Sequence, residues 1–152
     1  MSTSSERPPV PLRGDFRFFT ASPTRWGDCD AFGHVNNVQF VRYYESGRLD
    51  YFARVLDLDA GPSTEQTLII ADIHVNFLDQ INHPCALEVG SRISRLGNSS
   101  FVFDAAIFAA GEDQPRSSAR ATCVWFDYAA NHSVPIPASA RASIQQFEGL
   151  TS

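Results

Sequence analysis

One run, Arg25 to Tyr51, constrains this chain more than any other: RWGDCDAFGHVNNVQFVRYYESGRLDY. In its second half Val41, Tyr44, Arg48, Tyr51 and Val55 recur at three-four spacing, with Phe40, Phe52 and Leu56 alongside. That period predicts one long amphipathic helix with a buried stripe. Asn36 is a good N-cap, and Gln39 stands where it can reach back as in a capping box, which makes Asn37 the first helical residue. In the first half, Asp28, Asp30, Gly33-His34 and Asn36-Asn37 crowd into the approach to that helix. The first N–H groups of a helix lack internal partners and lie at the positive end of its dipole, which suits a developing negative oxygen. Asp30 sits just upstream, across a turn that Gly33 eases. A carboxylate facing such donors forms a hydrolytic pair, in which one group attacks or activates water and the other holds the oxyanion. Asp, Gly and Asn are also the ordinary residues of a loop entering a helix, so spacing alone leaves both readings open.

The remaining segments read as strands. Residues 1–14, rich in Ser, Pro and Arg, form an expected disordered tail ahead of a single domain over 15–148. Phe16, Phe18 and Phe19 mark a first strand between Asp15 and Arg25, with Pro23 near its end. After a polar connection broken by Gly61-Pro62, Ile69, Ala71, Ile73, Val75 and Phe77 alternate with Asp72, His74 and Asn76. Leu87, Val89 and Ile93 mark the next strand, interrupted by Arg92 and Arg95. Gly97-Asn98 turns it into a hairpin with Phe101, Phe103, Ala105, Ile107 and Ala109. A last strand carries Ala119, Ala121, Cys123 and Trp125, and a short helix is predicted over 135–147 with Pro137 at its start. Strand, helix, then four strands on short turns is an α+β pattern: five antiparallel strands with the helix on one face. Such a sheet leaves edges and an open flank, which a second subunit covers.

Composition narrows the function. At 152 residues with 12 phenylalanines the chain suits one domain with a substantial core. A net charge of −5 argues against nucleic-acid and anionic-membrane binding, and no apolar run is long enough to span a bilayer. Cys29, Cys85 and Cys123 are few, odd in number and widely spaced, which fits a reducing cytoplasm. Carboxylates on both sides of Cys29 disfavour its thiolate and argue against a nucleophile there. Neither a glycine-rich phosphate loop nor a GxSxG elbow is present, and His34, His74, His83 and His132 show no metal-ligand spacing, so no metal is expected.

The order Asp28-Cys29-Asp30, Gly33-His34-Val35-Asn36-Asn37, then an aromatic helix with Tyr43, Tyr44, Glu45 and Arg48 resembles the signature of 4-hydroxybenzoyl-CoA thioesterase-like hotdog proteins. The resemblance covers roughly residues 15–128. It implies a sheet wrapped around one long central helix, and hydrolysis of an acyl-coenzyme A thioester in which coenzyme A is part of the substrate and no separate cofactor is needed. It implies a homodimer or homotetramer with the site between chains. By motif position Asp30 rather than Asp28 matches the catalytic carboxylate, and the Asn37 backbone N–H matches the oxyanion donor. His34 is expected to orient the asparagine pair, Asp28 to be structural, and Phe40 and Tyr44 to line an acyl slot. Arg92, Arg95 and Ser99 are the candidate donors to the coenzyme A phosphates, since a net-negative chain must meet them with local arginines. Two other readings keep the fold: an acyl-CoA-binding module without turnover, and a dehydratase of 3-hydroxyacyl thioesters using His34 beside Asp30.

Overall fold

The computed structural model describes residues 9–58 and 65–151; residues 1–8 of the expected tail and the Gly61-Pro62 break lie outside the described residues. The elements run β1 (Phe18–Ala21), α1 (Asn37–Val55), β2 (Gln66–Phe77), β3 (Leu87–Leu96), β4 (Ser100–Ala109), β5 (Ser117–Asp127), β6 (His132–Ser133) and α2 (Ala138–Glu148). All strand pairs are antiparallel, in the order β1-β3-β4-β5-β2, and the two-residue β6 is appended to β5. This is the hotdog fold, a curled five-stranded sheet around a long helix with a short C-terminal helix.

The buried face of α1 is rotated from the expected stripe. Phe40, Tyr43, Tyr44, Gly47, Tyr51 and Phe52 are buried, whereas Val41 is exposed and Arg48 and Val55 are half-buried. Gly47 explains the rotation: a Cβ there would stand 2.7 Å from Val89 Cγ1, so α1 approaches β3 through its one residue without a side chain. Phe18, Tyr51, Phe52, Phe101 and Phe103 meet edge to face over this contact, with ring centroids 5.2 to 6.1 Å apart.

The clean alternation expected along β2 breaks at a bulge between Ile70 and Asp72. Before it, Leu68 and Ile70 pack on the core; after it, Val75 does, and Ala71 absorbs the extra residue. β2 is also the edge of the sheet, paired only with β5 among the described residues. The Gly97-Asn98 turn forms as expected, closed by Gly97 N–H to Ser100 C=O at 2.7 Å. α2 packs Ala140 and Ile144 inward and stops at Gly149, whose φ of 70° gives a left-handed cap. Its Glu148 accepts from the Tyr51 hydroxyl at 2.5 Å and the Ile93 N–H at 3.0 Å, tying α1, α2 and β3 together.

The outer face of the sheet carries a separate cluster of Phe16, Ala106 and Phe108. Arg13, within the stretch expected to be tail, lays its guanidinium over Phe19 and Phe108 and bonds the Ala109 carbonyl.

Candidate active site

The approach to α1 is a tight knot. Trp26–Asp28 form a 3-10 turn, Cys29 bridges Val35, Gly33 N–H donates to Asp30 C=O at 3.1 Å, and Asp30 N–H donates to His34 C=O at 3.0 Å. Gly33 takes φ 85°, a conformation side chains disfavour, which lets the chain reverse direction between Asp30 and His34. Two anchors hold the knot's far side: Val35 N–H to Ile81 C=O and Asn36 N–H to Asp28 C=O, each 2.9 Å.

The two aspartates divide sharply. Asp28 is 3% exposed and firmly held, accepting the Tyr43 hydroxyl at 2.6 Å and the Arg25 N–H at 2.9 Å, with the Arg25 guanidinium at 3.3 Å. Burial by itself would raise its pKa; the Tyr43 and Arg25 donors outweigh that and hold it below the ordinary 3.8. Asp30 is half-buried and more loosely held. Its Oδ1 accepts the Phe32 N–H at 2.9 Å, and its Oδ2 accepts only the Asn36 amide at a long 3.4 Å.

Asn36 is the hinge of the arrangement. Its Oδ1 caps α1 by accepting the Val38 N–H at 2.9 Å while its Nδ2 faces Asp30. The cap therefore takes the Val38 amide, and the Asn37 N–H, at the first helical residue, has no acceptor among the described residues. A loosely held carboxylate and the capped first turn of α1 are thus joined through one side chain, with the open Asn37 amide next to it in the chain. Gln39 does not complete a capping box; its Oε1 is buried without a partner.

The other expected site residues are placed differently. His34 does not reach the asparagine pair: its Nδ1 bonds Asn82 Oδ1 at 2.8 Å, and only its carbonyl acts on Asp30. Phe40 is 3% exposed and stacks edge-on with Phe77 at 5.2 Å. Tyr44 is 2% exposed and donates to Ser117 Oγ at 2.7 Å, with burial pushing its pKa well above the usual phenol value. Both are core in a single chain rather than walls of an open slot.

Arg92 lies on the outer face, over the Phe16 ring, 3.6 Å from Asp104 and donating to the Asp15 carbonyl. Arg95 is exposed beyond a second bulge, and Ser99 sits in the hairpin turn, its carbonyl accepting the Trp125 N–H. That turn lies by Ile136 and Trp125, near Leu56 at the far end of α1, roughly 27 Å from Asn37 along the helix axis. One chain does not bring these three to Asp30. Among the described residues no three His, Cys, Asp or Glu side chains converge as a metal site.

Sequence reasoning misses Tyr43 and Arg25 as partners of Asp28. Tyr43 falls two helical turns beyond Asn36, on the same face, a spacing that points it back at the loop.

Residues 24–144 match the thioesterase-like superfamily. The chain belongs to that superfamily. Among solved structures, this thioesterase-like chain is similar to the PA5185 protein of Pseudomonas aeruginosa PAO1, with 28% identity, a TM-score of 0.84, and 92% of this chain and 97% of that one covered. It is also similar to a thioesterase of Thermus thermophilus complexed with coenzyme A and Zn, with 27% identity, a TM-score of 0.75, and 91% and 98% coverage. Among curated proteins it is 27% identical over 121 residues to the chloroplastic acyl-acyl carrier protein thioesterase ATL3 of Arabidopsis thaliana, covering 79% of this chain and 63% of that protein. The thioesterase-like chain thus spans less than two thirds of that relative's length.

Proposed function

We propose that this protein hydrolyses acyl-coenzyme A thioesters to the free acid and coenzyme A, with Asp30 as the reacting carboxylate and the Asn37 N–H as oxyanion donor. The observation that supports this is the Asn36 side chain, whose Nδ2 faces Asp30 Oδ2 at 3.4 Å while its Oδ1 caps α1 at Val38. In one route the carboxylate adds to the thioester carbon and coenzyme A leaves as thiolate; water then opens the mixed anhydride. In the other, Asp30 takes the proton of an attacking water and the thiolate receives it. Either way the carbonyl oxygen gains charge, which the Asn37 amide and helix dipole stabilise; loss of one such donor typically costs about a hundredfold or more in rate. Family membership and the coenzyme A complex of the Thermus relative support a coenzyme A-type substrate. The pairing of His34 with Asn82, rather than with Asp30, disfavours the dehydratase reading.

The working unit is a homodimer or a tetramer built from it. β2 offers twelve residues of unpaired sheet edge, and Trp26, Phe32, Val38, Val41, Ile73 and Phe77 are exposed. A second copy covering this flank brings its own hairpin turn, with Arg95 and Ser99, within reach of a substrate that the first copy's Asp30 attacks. No helix among the described residues is long and apolar enough to cross a membrane, and three free cysteines fit a cytoplasmic site of action.

Free-thiol release from short, long and aromatic acyl-CoAs, with an acyl carrier protein thioester alongside, tests this. Asp30→Asn is expected to lower turnover about a hundredfold or more while the variant folds and binds acyl-CoA. Full activity in that variant, or acyl-CoA binding without thiol release by the wild type, refutes it.

A further inference from the structure

We infer that the Tyr43 hydroxyl and the Asp28 carboxylate form a positioning pair that locks the Asp30 loop onto α1; this rests on the thioesterase reading above.

Asp28 meets the helix twice. Its side chain takes the Tyr43 hydroxyl at 2.6 Å, and its main-chain carbonyl takes the Asn36 N–H at 2.9 Å. Tyr43 lies six residues into α1 beyond Asn37, about 9 Å along the axis. A loop held by one bond can pivot about it, whereas Asp28, held by its main chain at Asn36 and by its side chain at Tyr43, cannot turn about either bond alone. Asp30 is two residues further along the same loop, so its position relative to the Asn37 amide is set by this double attachment.

The pair is suited to the task by its rigidity. Tyr43 is 3% exposed, with its ring beside Phe40 at 6.5 Å, so the hydroxyl cannot swing away without disturbing the core. A short hydrogen bond from a neutral donor to a buried carboxylate is among the stronger ones available, and the Arg25 N–H and guanidinium add two further contacts. Burial, then the Asp28 charge, push the Tyr43 pKa far up, so the proton stays on the phenol. Held in this way, Asp28 is a poor nucleophile. The neighbouring carboxylates have separate duties: one holds the loop and the other, less encumbered, reacts. Displacing a reacting group by about 1 Å costs on the order of a hundredfold in rate, which gives such an anchor leverage over turnover without contact with substrate.

Tyr43→Phe removes the hydroxyl and keeps the ring. With acyl-CoA as substrate, kcat is expected to fall about ten- to a hundredfold while KM stays within about twofold, because the group positions Asp30 and does not touch the acyl-CoA. Hydrogen exchange should accelerate at the Asn36 amide and stay slow at Tyr51 in the helix interior. Asp28→Asn should give a similar loss, and the double variant no more than the larger single, since both changes cut one link. Unchanged kcat in Tyr43→Phe, losses that add in the double variant, or unaltered exchange at Asn36 would overturn the inference. Should the wild type release no thiol from any thioester, the thioesterase reading fails by itself, and the exchange measurement still decides whether the pair holds the loop.

Discussion

Asn36 does two jobs with two atoms, and substitutions can separate them. Its Oδ1 caps α1 at Val38 and its Nδ2 faces Asp30 Oδ2. Asn36→Ala removes both. The lost cap should cost about 1 kcal/mol, which for a domain of this size lowers Tm by about 2 to 4 °C, and turnover should fall with it. Asn36→Ser keeps a good capping oxygen, but its hydroxyl, one bond shorter than the amide nitrogen it replaces, falls short of an Asp30 oxygen that the amide meets only at 3.4 Å. Its Tm should stay within about 2 °C of wild type, while kcat falls toward the alanine value. Asn36→Asp also caps, and the added charge favours the positive end of the helix dipole by about 0.3 to 1 kcal/mol. It replaces the donor to Asp30 with a second carboxylate, however. Two like charges about 4 Å apart repel by about 1 kcal/mol in water and about 4 kcal/mol near a protein surface, and the half-buried site lies between these limits. Turnover of Asn36→Asp should therefore fall at least as far as that of Asn36→Ser, although its cap is the better one. Thermal melts and thiol release read these effects independently. If Asn36→Ser keeps wild-type kcat, the Asn36 amide does not place Asp30, and the bridge on which the proposed chemistry rests is incidental.

Two further predictions test the frame and the loop. Gly47→Ala gains about 1 kcal/mol of helix propensity but forces a methyl to 2.7 Å from a Val89 side chain that is fully buried, an overpacking worth about 1 to 3 kcal/mol. Net destabilisation by urea unfolding is expected, reversing to a gain in a Val89→Ala background; stabilisation in the wild-type background would show that α1 and β3 are not in that contact. Asp28 is held below 3.8 when folded, so at and below that pH the unfolded chain binds more protons, and stability falls as pH drops through this window. Asp28→Asn should flatten that part of the stability curve between about pH 5 and 2, and identical slopes in the two proteins would mean Asp28 is not ionised and paired as described.

The parts of this fold legible in the sequence are those encoded within a few neighbouring residues. Asn36 as cap, Asn37 as first helical residue, the Gly97-Asn98 turn and the start of α2 at Pro137 each depend on local backbone chemistry. What stays hidden depends on partners distant in sequence. Hydropathy centres the helix stripe on Val41 and Arg48 because it weighs side chains, whereas burial at Gly47 follows from close approach to Val89. The bulge at Ala71 is masked because apolar residues stand on both sides of it, so alternation continues in the sequence while the faces exchange. Arg92 reads as a free cation, yet it stands 3.6 Å from Asp104, directly across the strand pair, a carboxylate that Arg120 also binds at 2.7 Å. His34 and Asn82 are 48 residues apart, and nothing in either segment announces the other.

The exposure of the site also bears on what the chemistry requires. Trp26 is 84% and Phe32 87% exposed on the loop that carries Asp30, and the proposed attack of that carboxylate on a thioester would gain little in bulk water, where charge interactions are screened and competing hydration is strong. An oxyanion donor is worth most where its surroundings exclude water and keep the dielectric low. On the proposed reading the single chain supplies Asp30 and the Asn37 amide, but the aromatic rim of Trp26 and Phe32 faces outward, and β2 has an edge with no partner strand among the described residues. The same association that pairs that edge would bury the rim and dry the carboxylate, so oligomerisation and turnover should be lost together. A charge placed at Phe77, 52% exposed at the end of β2 and against Phe40, should dissociate the assembly and reduce kcat in parallel, by sedimentation and thiol release respectively. A monomer that retained full turnover would show that one chain encloses its own site.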